Sequence, residues 1–299
     1  MKLGTHEIKI THPDKVLFPE DGITKGELIE YYHEVAEVML PYLKDRPLVM
    51  NRYPNGIDKP WFVQQSVSDY FPEWIDRIEV KKEGGRITHA ICQNAASLVY
   101  LVNQDALVFH TWLSRQDLPD HPDLMVFDLD PSDNDFEKVR WAAGLFKSFL
   151  EEMDLEPLVK STGSRGLHIV LPLDRKIDFA QVHSFAYDIA ETISNREPAK
   201  LTIEQRKEKR QGRVLVDYMR NSYGQLLVAP YSVRAKRGAP VAAPLDWKEV
   251  FDSQINPQTF NLKNIKLRLA QKGDPWAGKW AKRFTLKKAM RKMKELKLA

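Results

Sequence analysis

Residues 124–130 read LMVFDLD, an apolar run that ends in two acids separated by one residue. A short apolar run of this kind is typical of a buried strand. Because side chains at positions i and i+2 of a strand point to the same face, Asp128 and Asp130 are expected to lie side by side. Neighbouring carboxylates repel one another unless a cation lies between them, and such oxygen ligands suit Mg²⁺ or Mn²⁺. On this motif alone, a metal site competes with ordinary strand-end or helix-capping acids.

A third acid follows a similar run. Residues 213–217 read RVLVD, which predicts a strand that ends at Asp217, with Arg220 three residues further on. Three carboxylates can bridge two cations, of which one activates an attacking hydroxyl and the other holds a triphosphate. Taken alone, Asp217 is equally well explained as a strand-end acid.

The segment between these acids contains a turn that suits a phosphate group. Residues 161–168 read STGSRGLH, in which hydroxyl side chains, two glycines and Arg165 precede His168. Glycines let the backbone approach a phosphate closely, and His168 can donate a hydrogen bond to a phosphate oxygen. The GxxxxGK[ST] pattern of a Walker loop is missing. The alternative is a plain turn between two strands, followed by a half-buried histidine.

The surrounding sequence mixes helices and strands. Apolar residues at helical spacing predict helices over residues 24–43, 136–153, 179–194 and 285–298. Thr24 and Glu27 are spaced as a capping box at the start of the first helix. Shorter apolar runs predict strands over residues 46–53, 158–160 and 167–172, and residues 95–108 are expected to form a helix followed by a strand. This mixture predicts an α/β or α+β fold.

Composition excludes several classes of protein. The chain has 299 residues, of which 43% are hydrophobic, so it can form a large core. Its only cysteine is Cys92, which rules out a disulfide framework and a cysteine-based zinc site. It contains no apolar run that could span a membrane and no apolar N-terminal leader, so a cytoplasmic protein without a membrane partner is expected.

Charge is distributed unevenly. The net charge is only +4, which is weak support for a nucleic-acid partner. Residues 206–213 read RKEKRQGR, and residues 278–299 are strongly basic with Glu295 as their one acid. Both basic stretches suit a polyphosphate, and both are equally well explained as a solvated loop and a solvated helix face.

Three segments and their flanks carry a family resemblance. Residues 109–132 (FHTWLSRQDLPDHPDLMVFDLDPS), 160–173 (KSTGSRGLHIVLPL) and 216–247 (VDYMRNSYGQLLVAPYSVRAKRGAPVAAPLDW) resemble the polymerase domain of bacterial ligase D. That domain belongs to the archaeo-eukaryotic primase superfamily and acts in non-homologous end joining. The resemblance extends over about residues 12–247. It implies an α+β fold of two α/β lobes with the active site in the cleft between them. Residues 1–299 are expected to form one catalytic domain, with a basic helical extension from about residue 260.

The resemblance also assigns roles at the active site. It implies that two Mn²⁺ or Mg²⁺ ions are held by Asp128, Asp130 and Asp217. It implies contacts to a nucleoside triphosphate, ribonucleotide or deoxyribonucleotide, by Ser161, Thr162, Arg165, His168, His110 and Arg220. Many relatives have serine at the position of Thr162 and lysine at that of Arg165, and these exchanges keep a hydroxyl and a positive charge.

The resemblance extends to contacts with DNA. Residues 12–32 (HPDKVLFPEDGITKGELIEYY) include Lys15 and Lys25, which match a pair that holds the 5′-phosphate at a DNA break. Trp61 and Phe62 match an aromatic pair on which bases stack, and such stacking contributes roughly 1–3 kcal/mol per base. Further DNA contacts are implied for Arg52 and for Arg210 in a basic loop. The sequence departs from the family at residues 63–65, where VQQ replaces an expected lysine.

The implied activity is addition of nucleotides, preferentially ATP, GTP, UTP or CTP, to the 3′-hydroxyl at a 5′-phosphorylated break with a 3′-overhang or gap. A haloacid-dehalogenase-type phosphatase with Asp128 as nucleophile is the first alternative, but Pro131 and Ser132 do not fit its motif. An end-binding scaffold without activity is the second, and the three intact acids argue against it. No KxDG ligase motif is present. A stand-alone chain is therefore expected, with Ku and a separate ATP-dependent ligase as partners.

Overall fold

The computed structural model describes residues 1–298, with side chains described up to residue 296. The chain folds into two compact units whose segments alternate along the sequence. Unit 1 consists of Met1–Pro119, Leu226–Ala243 and Phe260–Asp274. Unit 2 consists of Asp120–Gln225, Pro244–Thr259 and the segment from Pro275 onward. Among the described residues, no helix is long and apolar enough to cross a membrane.

The regular elements are numbered in chain order. The strands are β1 Lys2–Leu3, β2 His6–Glu7, β3 Val16–Phe18, β4 Ile23–Thr24, β5 Leu48–Arg52, β6 Phe62–Gln64, β7 Arg77–Lys82, β8 Gly85–Ala90, β9 Ala106–Trp112, β10 Leu124–Asp130, β11 Leu158–Ser161, β12 Leu167–Pro172, β13 Leu201–Thr202, β14 Val214–Asp217, β15 Leu226–Val228 and β16 Pro244–Leu245. The α-helices are α1 Lys25–Glu34, α2 Ala36–Leu43, α3 Ala95–Asn103, α4 Phe136–Glu152, α5 Phe179–Arg196, α6 Trp247–Val250, α7 Ile265–Lys272 and α8 Lys287–Leu298.

Unit 1 is built on a four-stranded antiparallel sheet in the order β15-β9-β5-β6. Helices α1, α2 and α3 pack against one another, and α3 packs on β9. Two buried tyrosines of α1 bind the distant segment of this unit. The Tyr31 hydroxyl donates to the carbonyl of Tyr231 at 2.7 Å, and the Tyr32 hydroxyl accepts from the Val233 amide at 2.9 Å.

The predicted helix over residues 24–43 begins as expected but is interrupted. Thr24 and Glu27 form the capping box, in which each side chain binds the backbone N–H of the other residue. One continuous helix was the wrong prediction, because the backbone leaves helical geometry at Val35 (φ −87°, ψ 1°) and α2 starts afresh after it. Val35 is β-branched and therefore a weaker helix former than its neighbours.

Unit 2 contains the sheet that positions the acids. Its six strands lie in the order β13-β14-β10-β12-β11-β16, and only β13 and β14 pair in parallel. Helices α4 and α5 pack against each other and against β10 and β14. The Phe127 ring lies 5.0 Å from that of Phe146 on α4, so odd-numbered residues of β10 face the helices. Strand alternation therefore directs Asp128 and Asp130 to the opposite face. The predominantly antiparallel pairing confirms the α+β prediction.

The C-terminal helix α8 packs on the helical side of unit 2. Leu286, Ala289 and Met293 are buried, and the Thr192 hydroxyl of α5 lies 3.8 Å from the Met293 sulfur. Spacings of three and four residues place these apolar side chains on one face of α8, as expected for an amphipathic helix. The prediction of a helix over residues 285–298 is thereby confirmed to within two residues.

Candidate active site

Four charged or titratable residues form one row across the sheet of unit 2. Asp128 of β10 lies directly opposite Asp217 of β14 on one side and His168 of β12 on the other. His168 in turn lies opposite Lys160 of β11. Residues directly opposite one another in a sheet project from the same face. The charged row, defined as Asp217, Asp128, His168 and Lys160, therefore occupies the face away from α4 and α5.

Burial and neighbouring charges fix the protonation of the row's centre. The His168 Nε2 lies 3.5 Å from Asp128 Oδ1. Burial lowers the pKa of His168 to about 4, and the Lys160 ammonium adds to this shift while Asp128 opposes it. Burial raises the pKa of Asp128, but His168, Arg220 and Lys160 together outweigh burial and hold that pKa below its usual value. Both shifts describe the same state at neutral pH, an ionised Asp128 beside a neutral His168.

Asp217 stands at the acidic end of the row. Burial raises its pKa, which the Arg220 guanidinium opposes and the Asp128 carboxylate reinforces. The Arg220 Nε lies 3.5 Å from Asp217 Oδ2, and the Met219 amide donates to Oδ1 at 2.9 Å. Partly exposed Asp128 and buried Asp217 face each other on adjacent strands. Their carboxylates create a local excess of negative charge, which a bound cation would relieve.

Asp130 is engaged differently from the other two predicted metal ligands. The Arg165 Nη2 donates to both of its carboxylate oxygens at 3.1 and 3.0 Å, and the Arg210 Nη1 lies 3.3 Å from Oδ2. Arg210 is nearly buried, and it also donates to the carbonyls of Glu204 and Gln205 at 3.0 and 2.7 Å. Asp130 is thus neutralised by two arginines. Within residues 1–298, no cluster of three or more histidine, cysteine or acidic side chains has a metal-holding arrangement.

The predicted phosphate turn is a tight loop between β11 and β12. The Thr162 hydroxyl accepts from the amides of Ser164 and Gly166, both at 3.2 Å, and Gly163 has a positive φ of 62°. Gly166 lies directly against β10, because a Cβ at this position would overlap the carbonyl oxygen of Leu129. The turn therefore holds its backbone beside the two acids that end β10.

Ser161 is the member of this turn that the structure separates from the charged row. It lies opposite Leu167, which lies opposite Leu129, and all three are almost completely buried. Because Lys160 belongs to the row, its neighbour Ser161 projects from the other face, toward α4 and α5. The expected nucleotide contact of Ser161 stays a prediction, and its side chain is not on the face that carries the charged row. The sequence pattern alone did not distinguish the two faces.

In unit 1, the structure brings Lys15 and Lys25 together. Their Nζ atoms lie 3.0 and 3.2 Å from the same oxygen of Asp105, a residue that the sequence did not single out. The Lys25 Nζ also donates to the carbonyl of Asn103 at 2.6 Å and is almost completely buried. Burial lowers the pKa of Lys25, and Asp105 opposes that shift. Lys15 remains partly exposed, with 27% of its side chain accessible.

The predicted aromatic pair is exposed beside Arg52. Trp61 and Phe62 are 49% and 46% accessible, and the Arg52 guanidinium lies 5.2 Å from the centre of the Phe62 ring. Arg52 also donates to the Gln64 side chain at 2.9 Å and to the Tyr70 hydroxyl at 2.6 Å. Gln64 lies in the segment 63–65 where a lysine of the family was expected. Its side-chain oxygen accepts a hydrogen bond from Arg52 and so orients that guanidinium.

His110 lies on β9, the strand at the centre of the unit 1 sheet. It stands opposite Val49 of β5 and Val228 of β15, and it is partly exposed. Its side chain therefore projects from an inner strand of an antiparallel sheet. The prediction that it contacts a nucleotide remains a prediction.

Comparison with known proteins decides the family. A profile described as "LigD, primase-polymerase domain" matches residues 24–276 of the chain. The chain belongs to this family. The LigD primase-polymerase match includes every predicted active-site residue and Lys25, whereas α8 lies beyond its last matched residue.

Curated LigD proteins resemble the chain over most of its length. The "Multifunctional non-homologous end joining DNA repair protein LigD" of Mycobacterium tuberculosis is 32% identical over 276 residues, which is 89% of this chain and 36% of that protein. The Pseudomonas aeruginosa LigD is 30% identical over 97% of this chain and 35% of its own length. The Bacillus subtilis LigD is 31% identical over 90% and 44%, respectively. The chain thus spans less than half the length of these relatives.

A solved structure resembles the fold directly. The "Polymerase Domain from Mycobacterium tuberculosis Ligase D in complex with DNA" matches with a TM-score of 0.86 and 31% identity, covering 90% of this chain and 96% of that one. This agreement confirms that the mixed α and β architecture is that of the LigD primase-polymerase family.

Two buried polar residues that lie beside the predicted site residues, Lys160 and Asn221, were not predicted from the sequence. Lys160 is completely buried in the charged row, and its only sequence signal is a lysine inside an apolar strand. Asn221 is also completely buried, and its side chain accepts from the Val126 amide at 2.8 Å and donates to the Val126 carbonyl at 2.6 Å. An isolated Asn221 after VLVD gives no signal of its own, because its partner lies 95 residues away.

Proposed function

We propose that this chain transfers nucleotides onto the 3′-hydroxyl of broken DNA ends during non-homologous end joining. The observation that carries the proposal is the pair of facing carboxylates, partly exposed Asp128 and buried Asp217, next to a phosphate-type turn and within the LigD primase-polymerase fold. Structural roles alone would not require these two acids to face each other, because their repulsion destabilises the fold without a cation. Thr162 and Arg165 differ from the serine and lysine that many relatives have at these positions, but they retain a hydroxyl group and a positive charge.

The donor set fits divalent cations of the Mg²⁺ or Mn²⁺ type. Asp128 and Asp217 would hold these cations. Asp130 would become a further ligand if its carboxylate bound a cation in place of Arg165 and Arg210. Two bound ions would supply charge neutralisation and activation of the attacking hydroxyl. The two arginines released from Asp130 would then be available to the negative charge of a triphosphate. Because charge develops on phosphate oxygens during transfer, such preorganised cations stabilise the transition state.

Neutral His168 and the Thr162 turn would bind the triphosphate. A neutral imidazole can donate one hydrogen bond to a phosphate oxygen, and its place between Asp128 and Lys160 fixes the ring. Arg220, on the other side of Asp217, adds a positive charge at the acidic end of the row. We infer that the substrates are nucleoside triphosphates, with ribonucleotides preferred over deoxyribonucleotides, as the family resemblance implies.

Unit 1 carries the features proposed to bind the DNA end. Lys15 and Lys25 would hold a 5′-phosphate, with Asp105 keeping the two ammonium groups close together. Exposed Trp61 and Phe62 offer surfaces for base stacking, and Arg52 lies over one of them. The proposed DNA therefore has a 5′-phosphate and a 3′-overhang or gap. Ku and an ATP-dependent ligase are the proposed partners, and the cytoplasm around the nucleoid is the proposed place of action.

A template-dependent extension assay tests the function. Wild-type protein with Mn²⁺ and a labelled ribonucleotide is expected to extend a 3′-overhang on 5′-phosphorylated DNA. Asp128→Ala is expected to reduce extension by at least about 100-fold, because transition-state charge is no longer stabilised. Asp133→Ala is the matched control, since Asp133 is an exposed acid whose ion pair is with Lys138 in the first turn of α4. Phosphate release without extension would instead identify a phosphatase, and DNA binding with neither activity would identify a scaffold.

The 5′-phosphate site can be tested in the same assay. Removing the 5′-phosphate from the DNA is expected to weaken binding of the wild-type protein. Lys15→Gln is expected to abolish that difference, because Lys15 is the more accessible of the two lysines and its removal leaves the buried Lys25–Asp105 pair intact. An undiminished preference for phosphorylated ends in Lys15→Gln would exclude Lys15 as a ligand of this phosphate.

A further inference from the structure

The C-terminal helix α8 has a basic face that neither the core nor the proposed active site uses. Exposed Lys287, Arg291 and Lys294 follow one another at spacings of four and three residues. At 3.6 residues per turn these side chains lie on one side of the helix, with α-carbons separated by about 6 and 4.5 Å along the axis. These three residues are called the α8 strip.

The α8 strip points away from the surface on which the helix packs. The buried residues Leu286, Ala289 and Met293 lie on the side of α8 that packs on α5 and the rest of unit 2. The strip is roughly opposite to them, since successive residues are rotated by about 100°. The apolar face of α8 is therefore already covered, and its cationic face is directed to solvent.

Other lysines of the same region form ion pairs with acidic side chains, whereas the three residues of the α8 strip form none with the described residues. Lys288 and Lys292 both pair with Asp154, at 2.6 and 2.9 Å, and Lys282 pairs with Glu156. Among the residues that the structure describes, no ion pair involves the side chain of Lys287, Arg291 or Lys294. The fold thus uses its nearby acids to hold α8 in place and leaves three cations uncompensated on one line.

The strip also lies far from the charged row within unit 2. The anchoring residues Asp154 and Glu156 precede β11, and Phe284 bridges Leu173 just after β12. Asp130 and the turn at residues 161–166 lie at the other ends of these strands. Phosphates bound at the α8 strip would therefore belong to a different stretch of DNA from the one at the row.

We infer that the α8 strip binds the phosphate backbone of duplex DNA at a site separate from the proposed active site. A line of uncompensated cations is complementary to a backbone with one phosphate every 3.4 Å per strand. An anionic membrane is the less suitable partner, because a membrane-surface helix inserts its apolar face, and that face is occupied here. The inference rests on DNA being the partner of this chain, as proposed above.

Binding to DNA without ends tests the inference. The probe is a fluorescent duplex closed by a hairpin at each end, titrated with full-length protein between 50 and 200 mM salt. The triple variant Lys287→Gln/Arg291→Gln/Lys294→Gln is expected to bind more weakly, with a slope of log K against log salt reduced by about 1 for each phosphate that the variant no longer neutralises. The variant Lys287→Arg/Lys294→Arg keeps the charges and should retain wild-type binding.

A charge-matched control separates local from general effects. Lys176→Gln/Lys248→Gln/Lys263→Gln removes three exposed lysines elsewhere, and it should change the salt slope less than the strip variant does. Circular dichroism establishes that each variant is folded. Equal slopes for the strip variant and the wild type would overturn the inference, as would loss of binding to phosphatidylserine vesicles with unchanged DNA binding.

The extension assay distinguishes this inference from the proposed function. At saturating overhang DNA, the strip variant is expected to add nucleotides at the wild-type rate, because the strip is remote from the charged row. If the wild type extends overhang DNA but does not bind the closed duplex, the separate site is disproved and the polymerase function stands. If the wild type does neither, the proposed function and the inference that depends on it both fail.

Discussion

In the charged row, burial and neighbouring charges together determine which side chains are ionised at neutral pH. His168 is held neutral at neutral pH because burial and Lys160 both disfavour its protonation. Lys160 itself is completely buried, although lysine is among the residues least often found in protein interiors. Its positive charge helps to keep the pKa of Asp128 below the usual value. At this scale, the site is an arrangement of mutually dependent charges, and single substitutions should reveal that dependence.

A pH-dependent stability is expected from His168 in metal-free protein. Its folded pKa of about 4 lies below the unfolded value of about 6.5, so the unfolded state binds more protons between these limits. The contribution of His168 to the free energy of unfolding should therefore be fully present above pH 6.5. It should fall by roughly 3 kcal/mol as the pH decreases toward 4. In His168→Gln this part of the decrease should disappear, as measured by urea unfolding at several pH values in EDTA. His33→Gln, at a half-exposed histidine, is the control, and an unchanged profile for His168→Gln would contradict the assignment.

Gly166 should tolerate no side chain. An added Cβ would overlap the Leu129 carbonyl, and that oxygen belongs to a central strand that cannot move aside. Gly166→Ala should lower the free energy of unfolding by about 2 kcal/mol or more, within or above the usual range for overpacking. Gly144→Ala, on α4, is the matched control, because its new Cβ meets only the exposed ring of Phe251, and alanine favours a helix. Similar urea midpoints for the two variants would show that β10 and the turn are not in close contact.

Strand β10 is the element on which the whole site depends, and it has different neighbours along its length. At its acidic end, β14 pairs with Asp128, Leu129 and Asp130. Closer to its start β14 has ended, and the side chain of Asn221 takes over by binding both backbone groups of Val126. A side-chain amide can replace a strand in this way because it offers one donor and one acceptor with nearly the geometry of a peptide group.

Removal of the Asn221 amide should loosen β10. Asn221→Leu leaves the buried N–H and C=O of Val126 without this partner, and each unsatisfied group costs about 1–3 kcal/mol. We expect a loss of roughly 2–4 kcal/mol in urea unfolding, together with weaker nucleotide binding. Asn134→Leu, at an exposed position before α4, should have little effect on either quantity. A fully stable Asn221→Leu variant with weak nucleotide binding would instead mean that Asn221 contacts the nucleotide.

The acidic motif was predictable because its information is local. The alternation in LMVFDLD predicts both the strand and the common face of Asp128 and Asp130, and the structure has both. The capping box at Thr24 is likewise encoded within four residues. By contrast, Ser161, Lys160 and Asn221 take their positions from the register between strands that are distant in sequence. No pattern within a single strand determines which residue of a neighbouring strand lies opposite it.

At the scale of the whole molecule, the chain crosses repeatedly between two compact units. Unit 1 is completed only when residues 226–243 return to it, because β15 pairs with β9. The same segment provides the carbonyl for the Tyr31 hydroxyl and the amide that donates to Tyr32. Neither unit corresponds to a continuous stretch of sequence, so each depends on the complete chain for its folding.

A chain cut after residue 119 should therefore not fold. Residues 1–119 retain α1, β5 and β9 but lack β15, which leaves the buried hydroxyls of Tyr31 and Tyr32 with fewer partners and exposes one edge of β9. We expect this fragment to show no cooperative urea transition by circular dichroism, whereas the full chain does. Co-expression with residues 120–299 should restore a transition by complementation. A cooperative transition in the isolated fragment would refute this dependence on the returning segment.

The charged row has a direction as well as a composition. It begins with two carboxylates at Asp217 and Asp128, passes through an uncharged imidazole and ends at the Lys160 ammonium. Such a sequence of charges is an electric dipole that runs across the strands. The dipoles of neighbouring antiparallel strands nearly cancel, so the side chains set the direction of the local field. Cations are drawn to one end and phosphate oxygens toward the other. A metal–triphosphate complex bound as proposed would therefore take one orientation, with its cations at the Asp217 end and its phosphates toward Lys160.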